Sequence, residues 1–425
     1  MILIRNLLPT RNDYDFSKKS LSFDLVAGAT VAVVALPLAL GFGATSGMSA
    51  ASGLTTAVIA GFLAAIFGGS KYQVSGPTGA MTVVLIPIIN HYGVRAIPFL
   101  GLIAGVIVVV MALAGLGKII NRVPWPVLEG FTVGIAGVIA VQQIPMALGV
   151  SKAKGDRTLT VAWRTVQNAI SAGISWQSLG IVALTLLVKF AYPLLARRLH
   201  IRFHIPASFV AIVVSLIVAQ VFAMTVNSIG EIPRRIGSWH GGDISWKDAS
   251  HLLWPAFLIA LLCAIESLLS ARVADGMVHA GPEQHYAPDR ELFGQGIATA
   301  ISCVFGGLPA TGAIARTSVN VRSHAKTRLS SMVHAGVLLL VALVAASWVS
   351  HIPAGAIAGV LIGTSYRILN PASLRESLQT TKRDAVVLVV TAVATIAIDL
   401  IWGIGIGICL YLLLNRQHNK AGESR

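Results

Sequence analysis

The chain has 425 residues, of which 55% are hydrophobic and only 12% are charged, and its mean hydropathy is +0.77. Soluble domains carry about 25% charged residues, so a water-soluble enzyme, a disordered regulator and a DNA-binding protein are excluded as descriptions of the whole chain. The net charge of +15 comes from short basic patches between apolar stretches. This distribution is typical of membrane-protein loops rather than of a nucleic-acid partner, and we predict an integral membrane protein that contacts the lipid bilayer along many spans.

Fourteen apolar segments follow one another along the chain. They fall at residues 24–46, 51–68, 77–90, 96–117, 127–149, 177–196, 205–224, 254–273, 291–306, 310–321, 331–349, 354–370, 384–400 and 402–415. Most approach the ~20 residues that a helix needs to cross ~30 Å of hydrocarbon. The segments that begin at Pro77 and near Ala310 are short.

Basic residues indicate the orientation of the spans. Basic clusters precede the first segment and follow the fourth, sixth, tenth, twelfth and last segments, so they share one side if both termini are cytoplasmic. A group formed by Lys152, Lys154 and Arg157 is the exception, because it follows the fifth segment and falls on the other side. We therefore predict a multi-pass protein of the inner (plasma) membrane with both termini in the cytoplasm.

An even number of spans divides into two sets of seven with opposite topology. The predicted domains are a cytoplasmic N-terminal segment (1–23), a first repeat of seven spans (24–224), an extracellular or periplasmic loop (225–253), a second repeat of seven spans (254–416) and a short cytoplasmic tail (417–425). The two short segments are then third in each repeat. Paired short, Gly/Pro-interrupted spans indicate an inverted-repeat transporter with a site near the midplane. The predicted fold is all-α and polytopic, with a 7+7 inverted repeat and two half-helices that meet at the midplane.

The first short segment contains a helix break. Gly76-Pro77 ends any preceding helix and starts a new one, because Pro is pre-organised for the first helical turn. The new helix begins with unpaired N–H groups at a positive dipole end. Thr78 and Thr82 supply hydroxyl groups, and Gly79 allows an ion to approach the backbone.

The second short segment repeats this design. Gly306-Gly307-Leu308-Pro309 interrupts the chain, and Thr311 and Gly312 open the new helix. Each helix start contributes about half a positive charge, so two facing starts make a site for one anion without a metal or an organic cofactor. The alternative is a pair of proline kinks that serve helix packing.

Two charged residues fall inside predicted spans. Glu266 is mid-span, where a charge costs about 3 kcal/mol or more, and Ser270 shares its helix face. Glu266 is a candidate proton carrier, or else a structural carboxylate that caps a helix or pairs with Arg316. Arg316 either adds positive field at the anion site or pairs with Glu266. Phe42, which follows Pro37 in the first span, is a candidate lining residue.

These motifs resemble those of the SulP anion permeases, the bacterial relatives of solute carrier family 26. The matching stretches are Asp24 to Gly28 leading to Pro37, Val74 to Gly79, Glu266 to Ala271 with Val273 to Gly276, Gln295 to Ala298, and Gly306 to Asn320. The resemblance implies a core domain and a gate domain, an anion bound between helices three and ten, and an elevator-like motion of the core.

The resemblance also implies roles for particular residues. The substrate contacts correspond to Thr78, Gly312, Ala313 and Ile314, and the basic residue of helix ten corresponds to Arg316. The acidic position of helix eight corresponds to Glu266, followed one turn later by Ser270. Sodium-coupled bicarbonate members have Asp and Thr at these two positions, so Glu and Ser favour protons over sodium as the coupling ion. Family members usually continue into a STAS domain that supports a homodimer. This sequence stops at Arg425, so it is expected to be either a naturally short member or a truncated chain, and we keep a homodimer as an expectation.

The predicted function is secondary active transport of a small inorganic or organic anion, such as sulfate, bicarbonate or a small dicarboxylate. The expected mechanism is proton-coupled, elevator-type alternating access, and no enzyme activity is expected. Two alternatives remain: an uncoupled anion channel with the same site, and a nucleobase permease of the same fold.

Overall fold

The computed structural model describes residues 7–120, 122–155, 157–200, 205–232, 237–238, 246–278, 285–369, 371–398 and 400–423. Within these ranges the regular secondary structure is helical apart from one two-stranded sheet. The first half contains α1 (Lys18–Thr45), α2 (Ala50–Phe67), β1 (Ser75–Gly76), α3 (Gly79–Tyr92), α4 (Ile97–Leu113), α5 (Trp125–Gln142), α6 (Thr158–Ala172), α7 (Trp176–Arg198) and α8 (Ala207–Val221).

The second half has the same order of elements. It contains α9 (Trp246–Val278), α10 (Pro288–Val304), β2 (Thr311–Gly312), α11 (Ile314–Arg322), α12 (Leu329–Val344), α13 (Ala354–Leu369), α14 (Pro371–Thr380), α15 (Lys382–Ala397) and α16 (Leu400–Glu423). One-turn helices lie at Arg11–Asp13, Val94–Ala96, Gly117–Ile120, Ile144–Leu148 and Ala346–Ser350.

The predicted all-α, polytopic fold is confirmed. Each of the fourteen predicted apolar segments coincides with a helix, whereas the helices α6 and α14 were not predicted. Among the described residues, six helices are long and apolar enough to cross a membrane, and several shorter ones are also apolar. The two segments predicted to be short are α3 with 14 residues and α11 with 9 residues.

Helix packing follows a two-fold relation between the halves. α1–α5, α7 and α8 correspond in order to α9–α13, α15 and α16. Three contacts occur once in each form. The contact of α4 with α10 is equivalent to that of α12 with α2, and the contact of α1 with α12 is equivalent to that of α9 with α4. The contact of α5 with α15 is equivalent to that of α13 with α7. The pairs α7–α8 and α15–α16 are likewise equivalent. The repeat expected from the short segments is therefore visible in the packing.

The same contacts separate two groups of helices. We call α1–α4 with α9–α12 the core domain, and α5, α7, α8, α13, α15 and α16 the gate domain. Glycines allow close packing inside the core, where a Cβ on Gly105 would lie 2.5 Å from the carbonyl oxygen of Gly296 on the facing helix. Small residues at such crossings let helix backbones approach closely in a membrane.

The two domains meet along a surface that we call the seam. α13 of the gate packs on α1 of the core, and α5 of the gate packs on α3. At Gly41 of α1, a Cβ would lie 2.7 Å from both Ile357 Cγ2 and Leu361 Cδ1 of α13. The absence of a side chain at Gly41 therefore lets the gate lie directly against the first core helix.

Candidate anion site

The two half-helix starts are joined by the short sheet. β1 and β2 pair antiparallel, with Ser75 opposite Gly312 and Gly76 opposite Thr311. Extended backbone deep in a membrane protein needs such partners, because lipid offers no hydrogen bonds. The pairing places the beginnings of α3 and α11 side by side, as the matched sequence breaks predict.

Glu266 lies where the two starts meet. Its Oε2 accepts hydrogen bonds from Thr78 Oγ1 at 2.8 Å and from Thr311 Oγ1 at 2.7 Å. The two hydroxyl oxygens are themselves 3.2 Å apart. Glu266 is 9% exposed and Thr78 is 8% exposed, so both retain some access to the surface. One carboxyl group of α9 thus links the two backbone stretches that lead into the half-helices.

Free backbone donors remain beside this carboxyl group. Thr78 caps α3 by accepting from Met81 N, which leaves the N–H groups of Gly79 and Ala80 without a partner among the described residues. Ala313 precedes α11 without a side-chain cap. Unsatisfied N–H groups at a helix start are suited to anion binding.

The amides of α11 differ from the sequence-based expectation in one respect. Gly312 N donates to Ser267 Oγ at 3.1 Å, and Ala313 N donates to Val74 O at 2.9 Å. Both amides are therefore already used, whereas those of Ile314 and Ala315 have no partner in the described part of the chain. The free donors at this start begin at Ile314, one of the three residues implied by the resemblance.

Arg316 lies behind the strand pair. Its side chain is 1% exposed, and its Nη2 donates to the carbonyl oxygen of Pro77 at 3.0 Å. A Cβ on Gly76 would lie 2.3 Å from Nη1, so a side chain at this position would displace the guanidinium from the backbone on which it packs. Arg316 and Glu266, both described, form no ion pair with each other. The pairing alternative is not observed, and the cation stands next to the residue that precedes Thr78.

The gate reaches the start of α3. A Cβ on Gly79 would lie 2.2 Å from Ile139 Cδ1 of α5 and 3.3 Å from Phe42 Cε1 of α1. Thr82 Oγ1 donates to Phe42 O at 3.3 Å. Phe42 is therefore beside the half-helix start as expected, and Ile139 is a seam residue that the sequence did not single out.

Ser270 lies away from the Glu266 carboxyl group. Ser270 Oγ donates to Thr317 Oγ1 at 3.1 Å. Thr317 Oγ1 also accepts from Val74 N at 3.1 Å. Its contacts support the strand that leads into α3 rather than the carboxyl group one turn earlier. A coupling role for Ser270 stays a prediction.

A buried polar network behind β1 was missed. Glu291 of α10 is 1% exposed; its Oε2 accepts from Gly69 N and Ser70 N, each at 2.8 Å. Its Oε1 accepts from Gln73 Nε2 at 2.7 Å and from Gln295 Nε2 at 2.9 Å. The available signal was a Glu that opens an apolar segment with a Gln four residues later on the same helix face.

This network reaches the candidate anion site through Gln73. A Cβ on Gly312 would lie 2.1 Å from Gln73 Nε2, so the amide side chain packs directly on the backbone of β2. Gln73 Nε2 also donates to Ser267 O at 3.1 Å. In the described residues no group of three His, Cys, Asp or Glu side chains is arranged to hold a metal ion, and the groups that surround the site are hydroxyls, amides and one carboxyl.

Comparison with known proteins identifies the family. A profile of the Sulfate permease family matches residues 21–391. The chain is 37% identical over 406 residues to a Bacillus subtilis protein named putative sulfate transporter YvdB, covering 94% of this chain and 74% of that protein. It is 31% identical over 420 residues to the bicarbonate transporter BicA of Picosynechococcus sp., covering 94% and 71%.

Solved structures agree. The transmembrane domain of a cyanobacterium bicarbonate transporter BicA superposes with a TM-score of 0.81 at 30% identity, covering 92% of this chain and 98% of that chain. The structure of SLC26A9 superposes with a TM-score of 0.83 at 16% identity, covering 97% and 68%, and shows the fold alone. The chain belongs to the Sulfate permease family, whose matched relatives are transporters and not enzymes.

Proposed function

We propose that this protein is a proton-coupled secondary active transporter of a small anion such as sulfate, bicarbonate or a small dicarboxylate. The observation that carries the proposal is the meeting of two half-helix starts at the carboxyl group of Glu266. Relatives named for sulfate and bicarbonate transport support the substrate class.

The helix starts supply the attraction for the anion. Each contributes roughly half a positive charge, and the free amides of Gly79, Ala80, Ile314 and Ala315 provide directed donors. Arg316 adds a full positive charge behind the strand pair. Because the anion binds to backbone groups, its size and charge are selected more strongly than its chemical identity.

Glu266 supplies the coupling. An ionised carboxylate beside a bound anion is repulsive, and this repulsion is strong in a medium of low dielectric constant. A proton on Glu266 removes the repulsion, so the anion and the proton bind together. The hydroxyl groups of Thr78 and Thr311 can donate to the carboxylate or accept from the protonated acid, and both states of Glu266 therefore keep hydrogen-bond partners.

The seam supplies the motion. The core domain carries both half-helices, and the gate meets it through small or apolar residues such as Gly41 and Ile139. We infer that the core slides along the gate and carries the anion across the membrane, with both termini on the cytoplasmic side of a plasma membrane. The protein is also expected to form a homodimer.

Uptake into liposomes tests the proposal. The full chain is reconstituted, and labelled sulfate or bicarbonate is followed with and without an imposed pH gradient. An inward proton gradient is expected to drive accumulation above equilibrium in the wild type, and Glu266→Gln is expected to abolish this accumulation while exchange of anion persists. Flux that ignores the gradient in both proteins refutes proton coupling and favours the channel alternative.

Competition experiments address the nucleobase alternative. The same vesicles are supplied with uracil or xanthine in excess. Inhibition of anion uptake by other small anions but not by nucleobases is expected from a site made of helix starts. The reverse pattern refutes the proposed substrate class.

A further inference from the structure

A basic segment stands at the end of the bundle remote from the N-terminus. Residues 150–172 contain Lys152, Lys154, Arg157 and Arg164, against the single acid Asp156. In the proposed orientation this segment is on the outer side, where basic residues are disfavoured by the positive-inside bias. The topology of the chain therefore gives no reason for these cations.

The basic segment contacts both domains, because its helix α6 packs on α5 and α15 of the gate. Asn90 Nδ2 of core helix α3 donates to Gly155 O at 3.0 Å. Ala153 N donates to Thr165 Oγ1 of α6 at 3.1 Å, and Arg164 Nη1 donates to Lys154 O at 3.4 Å. The segment is thus ordered across the outer end of the seam.

A cavity of about 240 Å³ lies beneath the basic segment. Its lining comes from both domains and includes Ala44, Thr45, Ile86, Gln142, Lys152 and Val161. Ile86 is seven residues along α3 from Gly79, which corresponds to ~10 Å of helix. The cavity and the helix starts therefore lie on the same seam, with the cavity on the outer side.

The chemistry of this cavity suits a small anion that is held weakly. Lys152 is the charged side chain of the lining, and it has no hydrogen-bond or ion-pair partner among the described residues. Gln142 Nε2 is likewise without a partner in the described structure. The other lining groups are mostly apolar. A conduction path needs sites that attract an ion and also release it, and an exposed ammonium group beside apolar walls meets both needs.

We propose that this cavity is a second anion site, which the transported anion occupies between the outer solution and the helix starts, with Lys152 as its charged group. The inference rests on the proposed function for the identity of the anion. It accounts for basic residues on the side where topology does not require them.

Cysteine protection tests occupancy directly. Thr158→Cys is made in a Cys409→Ser background, because Thr158 lines the cavity and Lys152 is then kept. Cys409 is exposed whereas Cys263 and Cys303 are buried. The rate of modification by a water-soluble methanethiosulfonate is measured in proteoliposomes, with sulfate and bicarbonate as probes. Saturating anion is expected to slow modification at position 158 severalfold and to leave a matched Thr160→Cys variant unchanged, since Thr160 does not line the cavity. An equal rate at position 158 with and without either anion overturns the proposal.

A second arm separates this site from the helix starts. Protection at position 158 is measured again after Arg316→Gln, which removes the positive charge behind the helix starts. Protection that persists supports an independent site, and protection that disappears overturns it, because the cavity then only reports occupancy of the inner site. A wild type that takes up neither anion refutes the proposed function, while protection at position 158 still decides the binding inference.

Uptake provides the functional counterpart. Lys152→Gln is expected to lower kcat/KM severalfold at low ionic strength and to weaken its salt dependence, with kcat at saturating anion retained. Lys154→Gln is the matched control, since Lys154 does not line the cavity. Equal loss in both variants indicates general surface charge and overturns a specific role for Lys152.

Discussion

Adding one methyl group at Gly79 tests the contact between the domains. In the variant Gly79→Ala the new Cβ would lie 2.2 Å from Cδ1 and 2.3 Å from Cγ1 of Ile139, and 3.3 Å from Phe42 Cε1. Real Cβ atoms do not approach other carbon atoms so closely, so α5 has to move away or Ile139 has to change its rotamer. Alanine keeps the free backbone N–H of position 79, and any loss of transport is therefore steric.

The magnitude follows from overpacking. Extra carbon in a well-packed site costs about 1–3 kcal/mol, which corresponds to a roughly 5- to 150-fold change in a rate or an equilibrium. If the core slides along the gate, this cost falls on the conformation in which Gly79 faces Ile139. We therefore expect the initial rate of anion uptake to fall by a factor in this range.

The assay is initial-rate uptake of labelled sulfate or bicarbonate into liposomes that contain equal amounts of folded protein. Ile139→Ala removes both clashing atoms, so the double variant Gly79→Ala with Ile139→Ala is expected to regain most of the lost rate. Gly336→Ala is the matched control, because no atom lies within 4 Å of the Cβ that it adds. Wild-type uptake by Gly79→Ala, or a double variant no better than the single one, refutes the reasoning.

Three further predictions concern the supports of the site. Glu291→Gln replaces one acceptor oxygen by an N–H₂ group, which then faces either the donors Gly69 N and Ser70 N or the donor Gln73 Nε2. Because two donors cannot bond to each other, we expect the KM for the anion to rise by a larger factor than kcat falls. An unchanged KM in uptake assays contradicts the positioning role of the network. Gly105→Val forces a side chain against the carbonyl of the facing helix, and we expect loss of a monodisperse peak in size-exclusion chromatography, whereas Gly336→Val keeps it. Burial raises the pKa of Asp13, but hydrogen bonds from Arg290 and Thr10 and the charge of Arg328 lower it by more, so the pKa lies well below its usual range. The stabilisation by this ionised carboxylate is therefore full above the unfolded pKa of about 4 and is lost as the pH falls toward the folded pKa, so Asp13→Asn is expected to lower the melting temperature at pH 7 and progressively less below pH 4.

Hydropathy and backbone breaks made much of the fold predictable. Apolar segments of about 20 residues coincide with helices because lipid requires every backbone group to be paired within the segment. Gly76-Pro77 and Pro309 marked the two interruptions, since Pro and Gly act on the local backbone and need no knowledge of distant contacts. The helices α6 and α14 were missed because their mixed composition does not register as an apolar run.

The polar contacts of the site could be predicted only in part. Glu266 was found because a carboxyl group mid-span is costly wherever its partner lies. The partners of Glu291 are more than 200 residues away in the chain for three of its four hydrogen bonds, and no local pattern indicates them. The partner of the Arg316 side chain was left open for the same reason, because its acceptor, the carbonyl oxygen of Pro77, belongs to the other repeat.

The two half-helix starts differ in their caps but share a hydroxyl contact with Glu266, and both features bear on the proposed coupling. At α11 no side chain caps the helix, so its first free amides can bind an anion in either state of Glu266. At α3 the hydroxyl of Thr78 donates to Glu266 Oε2, so it is committed while the carboxylate is ionised. Protonation of Glu266 lets this hydroxyl turn and donate to an anion instead. In the proposed mechanism a proton on Glu266 therefore adds a donor to the anion site as well as removing a negative charge. Thr311 Oγ1 donates to the same carboxylate oxygen, so the proposed coupling acts through the hydroxyl groups of both half-helix starts.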